Sequence, residues 1–410
     1  MRLGVDLTPA GLALRQAPGA SVGPEPGFVL DLRTDQHVWD GTPLEGLTAL
    51  PGWSYSRAGT AWGRRVDGTY ASFPAHTPRR TDMGLWCEPA STNLFARFGP
   101  TVGQLASNTN VSLATEPSVP PLAGLSWLAL SNSGGAAYAY QGASVPAATT
   151  CTIQMWVETP DGSPPVVSAS SATGDFCLVL GGGIVSGVFG MEALSGHVWR
   201  VWGTTVTGAS PAAHGGVIRY GGQSTRSLKF CGFQLEVGAL ATSPIVTTGA
   251  VAGRSADVAR LTDMVPMAEA TLVADFTLNG GGSGVLANGR RAACLDDGTG
   301  TGALEIGNPD GLIGGRVLSS GVEQARLTVA GAAASGVGQG VALRSRLNDF
   351  RLARNGVLST ADTSGTAPEG LSRLTLGAGA GGTGQLGGCL QRLEVRPVAR
   401  VDAALVALSA

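Results

Sequence analysis

Apolar residues in this chain fall in short alternating runs that end in Gly, Pro, Asn or Ser before a helical period can establish itself. This punctuation constrains the fold more than any other feature. In CTIQMWVETPDG (residues 151–162), Cys151, Ile153, Met155 and Val157 point to one side, and Pro160, Asp161 and Gly162 then turn the chain. HVWRVWGTTVTG (197–208) is similar. Trp199 and Val201 share one face and Arg200 and Trp202 the other, so one indole is core and the other nearer solvent. Glycine supplies 63 of 410 residues, about twice its usual share of roughly 7%, which disfavours long helices and suits turns. The expected fold class is all-β: an N-terminal attachment segment and a turn-rich connector followed by two β-sandwich (jelly-roll) domains.

A length of 410 residues suits two or three domains of about 100–200 residues each. Residues 1–50 hold short strand candidates at 3–7, 12–14 and 28–39, too little for a core, and read as a segment that adds to a partner's sheet. Residues 51–98 form the connector, where Leu85 and Cys87 alternate with Trp86 and Glu88 as a short strand that Pro89 ends. Residues 99–248 are the first sandwich. Residues 249–267 read as a linker in which Arg254 and Asp257 pair at the surface, an interaction contributing only about 0–1 kcal/mol. Residues 268–410 are the second sandwich, opening on ATLVADFTL and closing on CLQRLEV, with a hairpin at Asn355-Gly356. A short C-terminal helix follows in RVDAALVALSA, with Ala403, Leu405, Val406 and Leu408 on its apolar side.

Charge excludes some functions. The net charge is −2 and Lys229 is the only lysine, so no basic stripe exists to neutralise a phosphate backbone, and nucleic acid is not an expected partner. No run of about 18 apolar residues occurs, and membrane insertion is not expected. In the first twenty residues Asp6 and two prolines interrupt any signal core, so the reading is synthesis in the cytoplasm without a signal peptide. Cys87, Cys151, Cys177, Cys231, Cys294 and Cys389 lack metal-ligand spacing, and the last five sit in alternating apolar runs where they read as small buried hydrophobes, with a disulfide among Cys151, Cys177 and Cys231 as the alternative.

Candidate catalytic groups are sparse. GASVG (19–23) has nucleophile-elbow spacing around Ser21 but sits in a Gly/Pro loop without the strand-turn-helix context. GAGAGG (377–382) fits a dinucleotide fingerprint but no helix follows it. His37, His76, His197 and His214 are isolated in sequence. Aromatic residues cluster instead between 127 and 220. Sugar rings stack on aromatic faces through apolar C–H surfaces, and most of these residues are needed for a core. Tyr138 and Tyr140, two apart and so on one face, and Trp202 are the residues assigned to carbohydrate.

Four motifs in the connector stand in order: YSRAGTA (55–61), VDG (66–68), Pro78-Arg79 and GLWCEPASTNL (84–94). GFQLEVGALATSPIVTTGAVAGRSADVARL (232–261) follows at a distance. Together they resemble a family of bacteriophage and prophage (or gene-transfer-agent-like) tail-fibre or spike virion proteins. The first sandwich resembles a carbohydrate-binding-module jelly roll, from which Val198 departs where a further aromatic is usual. The second resembles laminin-G and concanavalin-A-like domains. The resemblance implies a non-enzymatic virion component, a fibre, spike or head decoration, that binds host-surface polysaccharide for adsorption. It would be a homo-oligomer held to other virion proteins through its N-terminal segment. The alternatives are a polysaccharide-degrading tailspike enzyme and a purely structural virion brace. No cofactor is expected, but similar lectin-like sandwiches bind calcium at rim acids, which here would be Asp296, Asp297, Glu305 and Asp310. The same four acids could include a glycosidase pair.

Overall fold

The computed structural model describes residues 27–114, 119–279, 289–308, 311–331 and 335–410. The strand candidates at 3–7 and 12–14, Ser21 and Asp310 lie outside the described residues. Within them the protein is all-β, two antiparallel sandwiches with one α-helix, Asp402–Ser409, at the end.

In the first sandwich a five-stranded sheet runs Ser107–Thr109, Ala137–Val145, Ala212–Arg219, Cys177–Leu180, Gly183–Ile184. The facing six-stranded sheet runs Val111–Leu113, Leu128–Leu130, Lys229–Val237, Thr150–Glu158, Val198–Val206, Val188–Ser195. Alternation decides which side chains meet between them. Cys151, Ile153, Met155 and Val157 share one core with Phe230, Phe233 and Leu235 of the adjacent strand, and Phe176 and Leu178 pack against them from the other side, as the period-two reading expects.

The second sandwich is larger because segments read as attachment, connector and linker join it. Phe28–Asp31 pairs with the last strand, Gly388–Arg396, in the register Phe28↔Val395 and Leu30↔Leu393. Gln36–Trp39 and Thr42–Glu45 continue the same sheet to its edge. This corrects the reading of residues 1–50 as a segment for a partner's sheet: from Phe28 onward its strands pair within the chain. The cause is the pattern Phe28, Leu30, Leu32, all buried in the second core, which an exposed arm would leave in water. Gly84–Cys87 docks on that same last strand, and Trp53–Ser56 pairs with Val258–Leu261 to close the seven-stranded opposing sheet. Within residues 249–267, Ala252–Arg254 pairs with Ser91–Asn93 and Val258–Leu261 pairs with Trp53–Ser56, so the segment is tied into the sheets and is not a free linker.

The connector also covers the outer face of the first sandwich's six-stranded sheet. Tyr70 stacks on Trp156 at 5.4 Å and Phe98 meets it edge-on at 5.2 Å, with Leu122, Trp127 and Leu194 completing a small core. One continuous segment thus glues the two sandwiches together.

The two local signals predicted in the second sandwich are present. Asn355 (φ 46°) and Gly356 (φ 77°) both lie in the left-handed region that a tight two-residue hairpin needs. In the helix Asp402 starts the first turn, where its charge suits the N-terminal dipole, and pairs with Arg344 at 2.9 Å. Leu405 is fully buried against Val273, Ala342 and Ala353 on the outer face of the ten-stranded sheet. Leu405→Ala is expected to cost about 2–4 kcal/mol in urea unfolding, the range for a buried leucine that leaves a cavity. A loss below about 1 kcal/mol would show that the helix is not part of the cooperative fold.

Candidate functional site: a tyrosine face on the first sandwich

Strand Ala137–Val145 sends Ala137 and Ala139 into the core and Tyr138, Tyr140 and Gly142 outward. Pairing then sets their neighbours: Thr109 and Ile218 flank Tyr138, Ser107 and Gly216 flank Tyr140, and His214 lies opposite Gly142. Tyr138 and Tyr140 stack at 4.7 Å with 21° between the rings, and His214 lies 5.4 Å beyond Tyr140. Gly216 puts no side chain between Tyr140 and Val179, and a Cβ there would sit 2.0 Å from the Ala139 carbonyl oxygen. Beneath the half-buried rings lies an apolar floor of Cys177, Val179 and Ile218, joined by Ile184 and Tyr220.

No Asp, Glu, Lys or Arg belongs to this set of residues. Burial, followed by the neighbouring Tyr220 and Tyr138, pushes the Tyr140 hydroxyl up to about 12. Burial also raises Tyr220, with Cys177 adding to it. Tyr138 moves the other way, because the hydroxyls of Thr109 and Ser107 hydrogen-bond to its oxygen. Tyr140 and Tyr220 therefore remain neutral donors and acceptors near pH 7. The arrangement offers aromatic surface and hydroxyls over an apolar floor, which are the elements that hold a sugar ring.

Of the three residues assigned from sequence, the structure brings two together and removes the third. Trp202 is completely buried: it lies over Gly190 of the neighbouring strand, where a Cβ would come within 2.4 Å of the indole, with the Arg200 guanidinium 5.5 Å from the ring centroid. Alternation placed it correctly on the face away from Trp199 but could not show that this face is covered too. Trp202 is no stacking surface. Conversely, His214 reads as isolated in sequence, and Ser107 and Thr109 carry no motif, yet strand pairing delivers all three to the tyrosines.

The motif residues of the connector converge elsewhere. Arg79 donates to Glu88 at 2.8 Å, to Ser243 at 2.9 Å and to the Trp62 carbonyl at 2.8 Å, and it also forms an ion pair with Asp257. Arg57 reaches Asp257 at 3.3 Å and Tyr55 donates to Asp257 at 2.5 Å, while Arg254 pairs with Glu88 at 2.8 Å. The expectation of a surface pair between Arg254 and Asp257 is thus corrected: both are buried, and each bonds to a different partner. Burial alone would push the Glu88 carboxyl up, but Arg254, Arg79 and Ser243 hold it down at about 2. The same balance of burial against Arg79 and Arg254 leaves Asp257 below the usual carboxylate range. With no solvent access this network is the joint between the sandwiches, not a ligand site.

The rim acids are also committed. Asp296 is buried against Arg373 at 2.7 Å, Glu305 is shared by Arg291 and Arg316, and Asp297 accepts from Thr299, Thr301, Gly300 and Gly302 of its own turn. Among the described residues no group of three or more His, Cys, Asp or Glu could hold a metal ion. All six cysteines are buried free thiols, so Cys151, Cys177 and Cys231 form no disulfide.

No family model matches this sequence, and no curated protein matches it. Among solved structures, the sialidase module CBM40 of Ruminococcus gnavus bound to α2,6-sialyllactose aligns with 35% of this chain and 84% of its own (16% identity, TM-score 0.27). Domain 4 of the arabinanase AbnA from Geobacillus stearothermophilus, in complex with arabinotriose, aligns with 38% of this chain and 73% of its own (13% identity, TM-score 0.30). The laminin α1 LG4-5 domains of mouse align with 62% of this chain and 84% of their own (12% identity, TM-score 0.22). Likeness of this degree carries no argument about what the chain binds.

Proposed function

We propose that this chain is a non-catalytic carbohydrate-binding protein that seats a neutral glycan on the outer face of its five-stranded sheet. The observation that carries the reading is the stacked pair Tyr138–Tyr140, extended by His214 and set over an apolar floor with no charged side chain beside it. A neutral saccharide loses few strong solvent contacts on such a face, whereas a charged one would shed hydration without a counter-charge. The glycan is the kind found on a host surface. We propose further that the chain is a virion component, as a homo-oligomeric fibre, spike or head decoration. This rests on the resemblance of the connector motifs, and on a sparsely charged, Gly-rich composition that lets subunits pack with little charge to desolvate.

Glycan-array screening followed by calorimetry tests the binding. Tyr140→Ala is expected to weaken the best ligand about ten-fold, the loss of roughly 1–1.5 kcal/mol of aromatic contact, while Trp202→Phe leaves affinity unchanged. An array without hits, or equal affinity in Tyr140→Ala, would overturn the reading. Release of reducing sugar by the purified chain would favour a degrading enzyme instead. Mass spectrometry of purified particles tests the virion assignment, and its absence from particles would remove it.

A further inference from the structure

A cleft of about 530 Å³ opens on the first sandwich, away from the tyrosines. Lys229 and Glu158 face each other across neighbouring strands of the six-stranded sheet, whereas the tyrosines lie on the five-stranded one. The ammonium of Lys229 sits 3.4 Å from both carboxylate oxygens of Glu158, and each side chain keeps some exposure to the cleft. Around this pair stand the exposed side chains of Ser112, Thr225, Ser227 and His197.

We infer that this cleft is a second saccharide site, specific for a neutral, hydroxyl-rich sugar residue. The volume falls within the roughly 300–1,000 Å³ of small-ligand sites. A carboxylate accepts hydrogen bonds from two adjacent sugar hydroxyls, an ammonium donates to a third, and serine and threonine hydroxyls do either. An anionic sugar fits poorly. Glu158 repels it, Lys229 is already neutralised, and the Arg219 guanidinium in the wall directs four of its five N–H donors to the carbonyls of Asp175, Leu130, Ser224 and Arg226. Hydrolysis does not fit either, because Glu158 is the one carboxylate among the described residues lining the cleft, and glycoside cleavage uses two. The inference stands apart from the tyrosine face and survives if that face binds nothing.

Lys229 is the only lysine in the chain and so its own reporter. Reductive ¹³C-methylation of the full-length protein keeps the charge and gives one side-chain resonance besides that of the α-amine. Cellobiose, maltose, lactose and mannobiose are titrated in, with glucuronate as the anionic comparison. A saturable shift of the Lys229 resonance with at least one neutral disaccharide is expected, retained in Tyr140→Ala and weakened at least about ten-fold in Glu158→Gln. Ser227→Ala, which removes one exposed hydroxyl, is expected to weaken it too and serves if Glu158→Gln fails to fold. No shift with any neutral disaccharide, a shift with glucuronate alone, or loss of the shift in Tyr140→Ala would each overturn the inference.

Discussion

Arg79→Ala is expected to cost about 3–5 kcal/mol of folding stability, because it strips a fully buried guanidinium from two buried carboxylates at once. Glu88 and Asp257 would keep Arg254 and Arg57, but the Trp62 carbonyl and the Ser243 hydroxyl would lose their charged donor as well. Since the network joins the connector to residues 243–257, both sandwiches should lose stability together. Urea unfolding followed by tryptophan fluorescence measures the cost. Arg346, an exposed guanidinium paired with Asp349, is the comparison, and Arg346→Ala should change stability by about 0–1 kcal/mol because Asp349 keeps Arg344. Equal effects from the two substitutions would show that the buried joint does not hold the fold together.

Acid should unfold the protein through the same joint. Glu88 has a folded-state pKa of about 2 against an ordinary value of 4.5, and Asp257 is also depressed. A depressed carboxylate contributes stability that is complete above its unfolded pKa and is lost as pH falls through the folded one. The window therefore runs from about pH 5 down to about pH 2, and Glu88 alone accounts for about 3 kcal/mol of it. His37 acts in the same direction from about pH 6.5 downward, because its burial outweighs the attraction of Asp35 and lowers its pKa. Urea midpoints measured from pH 7 to pH 2.5 should fall through this window. Glu88→Gln, less stable at neutral pH, should show a shallower fall below pH 4.5. Parallel profiles for the two proteins would mean that the carboxylates responsible lie elsewhere.

How much of the candidate site was legible depends on distance along the chain. Tyr138 and Tyr140 are two residues apart, so their common face follows from the alternation of a strand alone. Their partners do not. Ser107 and Thr109 come from the edge strand and His214 from a strand some seventy residues on, and their arrival rests on register. Trp202 shows the limit of alternation. It assigns a side chain to one of two faces, but whether a face meets water depends on what packs there, and this sheet is covered on both sides.

The sequence by itself determined that the chain would be all-β with two sandwich cores, that Asn355-Gly356 would turn a hairpin, and that the last residues would form a helix. Each of these follows from local periodicity and backbone preference, which neighbouring residues carry among themselves. Only the tertiary structure decided that residues 28–45 complete the chain's own sheet, and that Arg57, Arg79, Glu88, Arg254 and Asp257 meet in one dry joint. The physical reason is that a charge carries no periodic signal of its partner. Arg57 and Asp257 lie 200 residues apart, and the folding of two sheets around a shared connector is what brings them together.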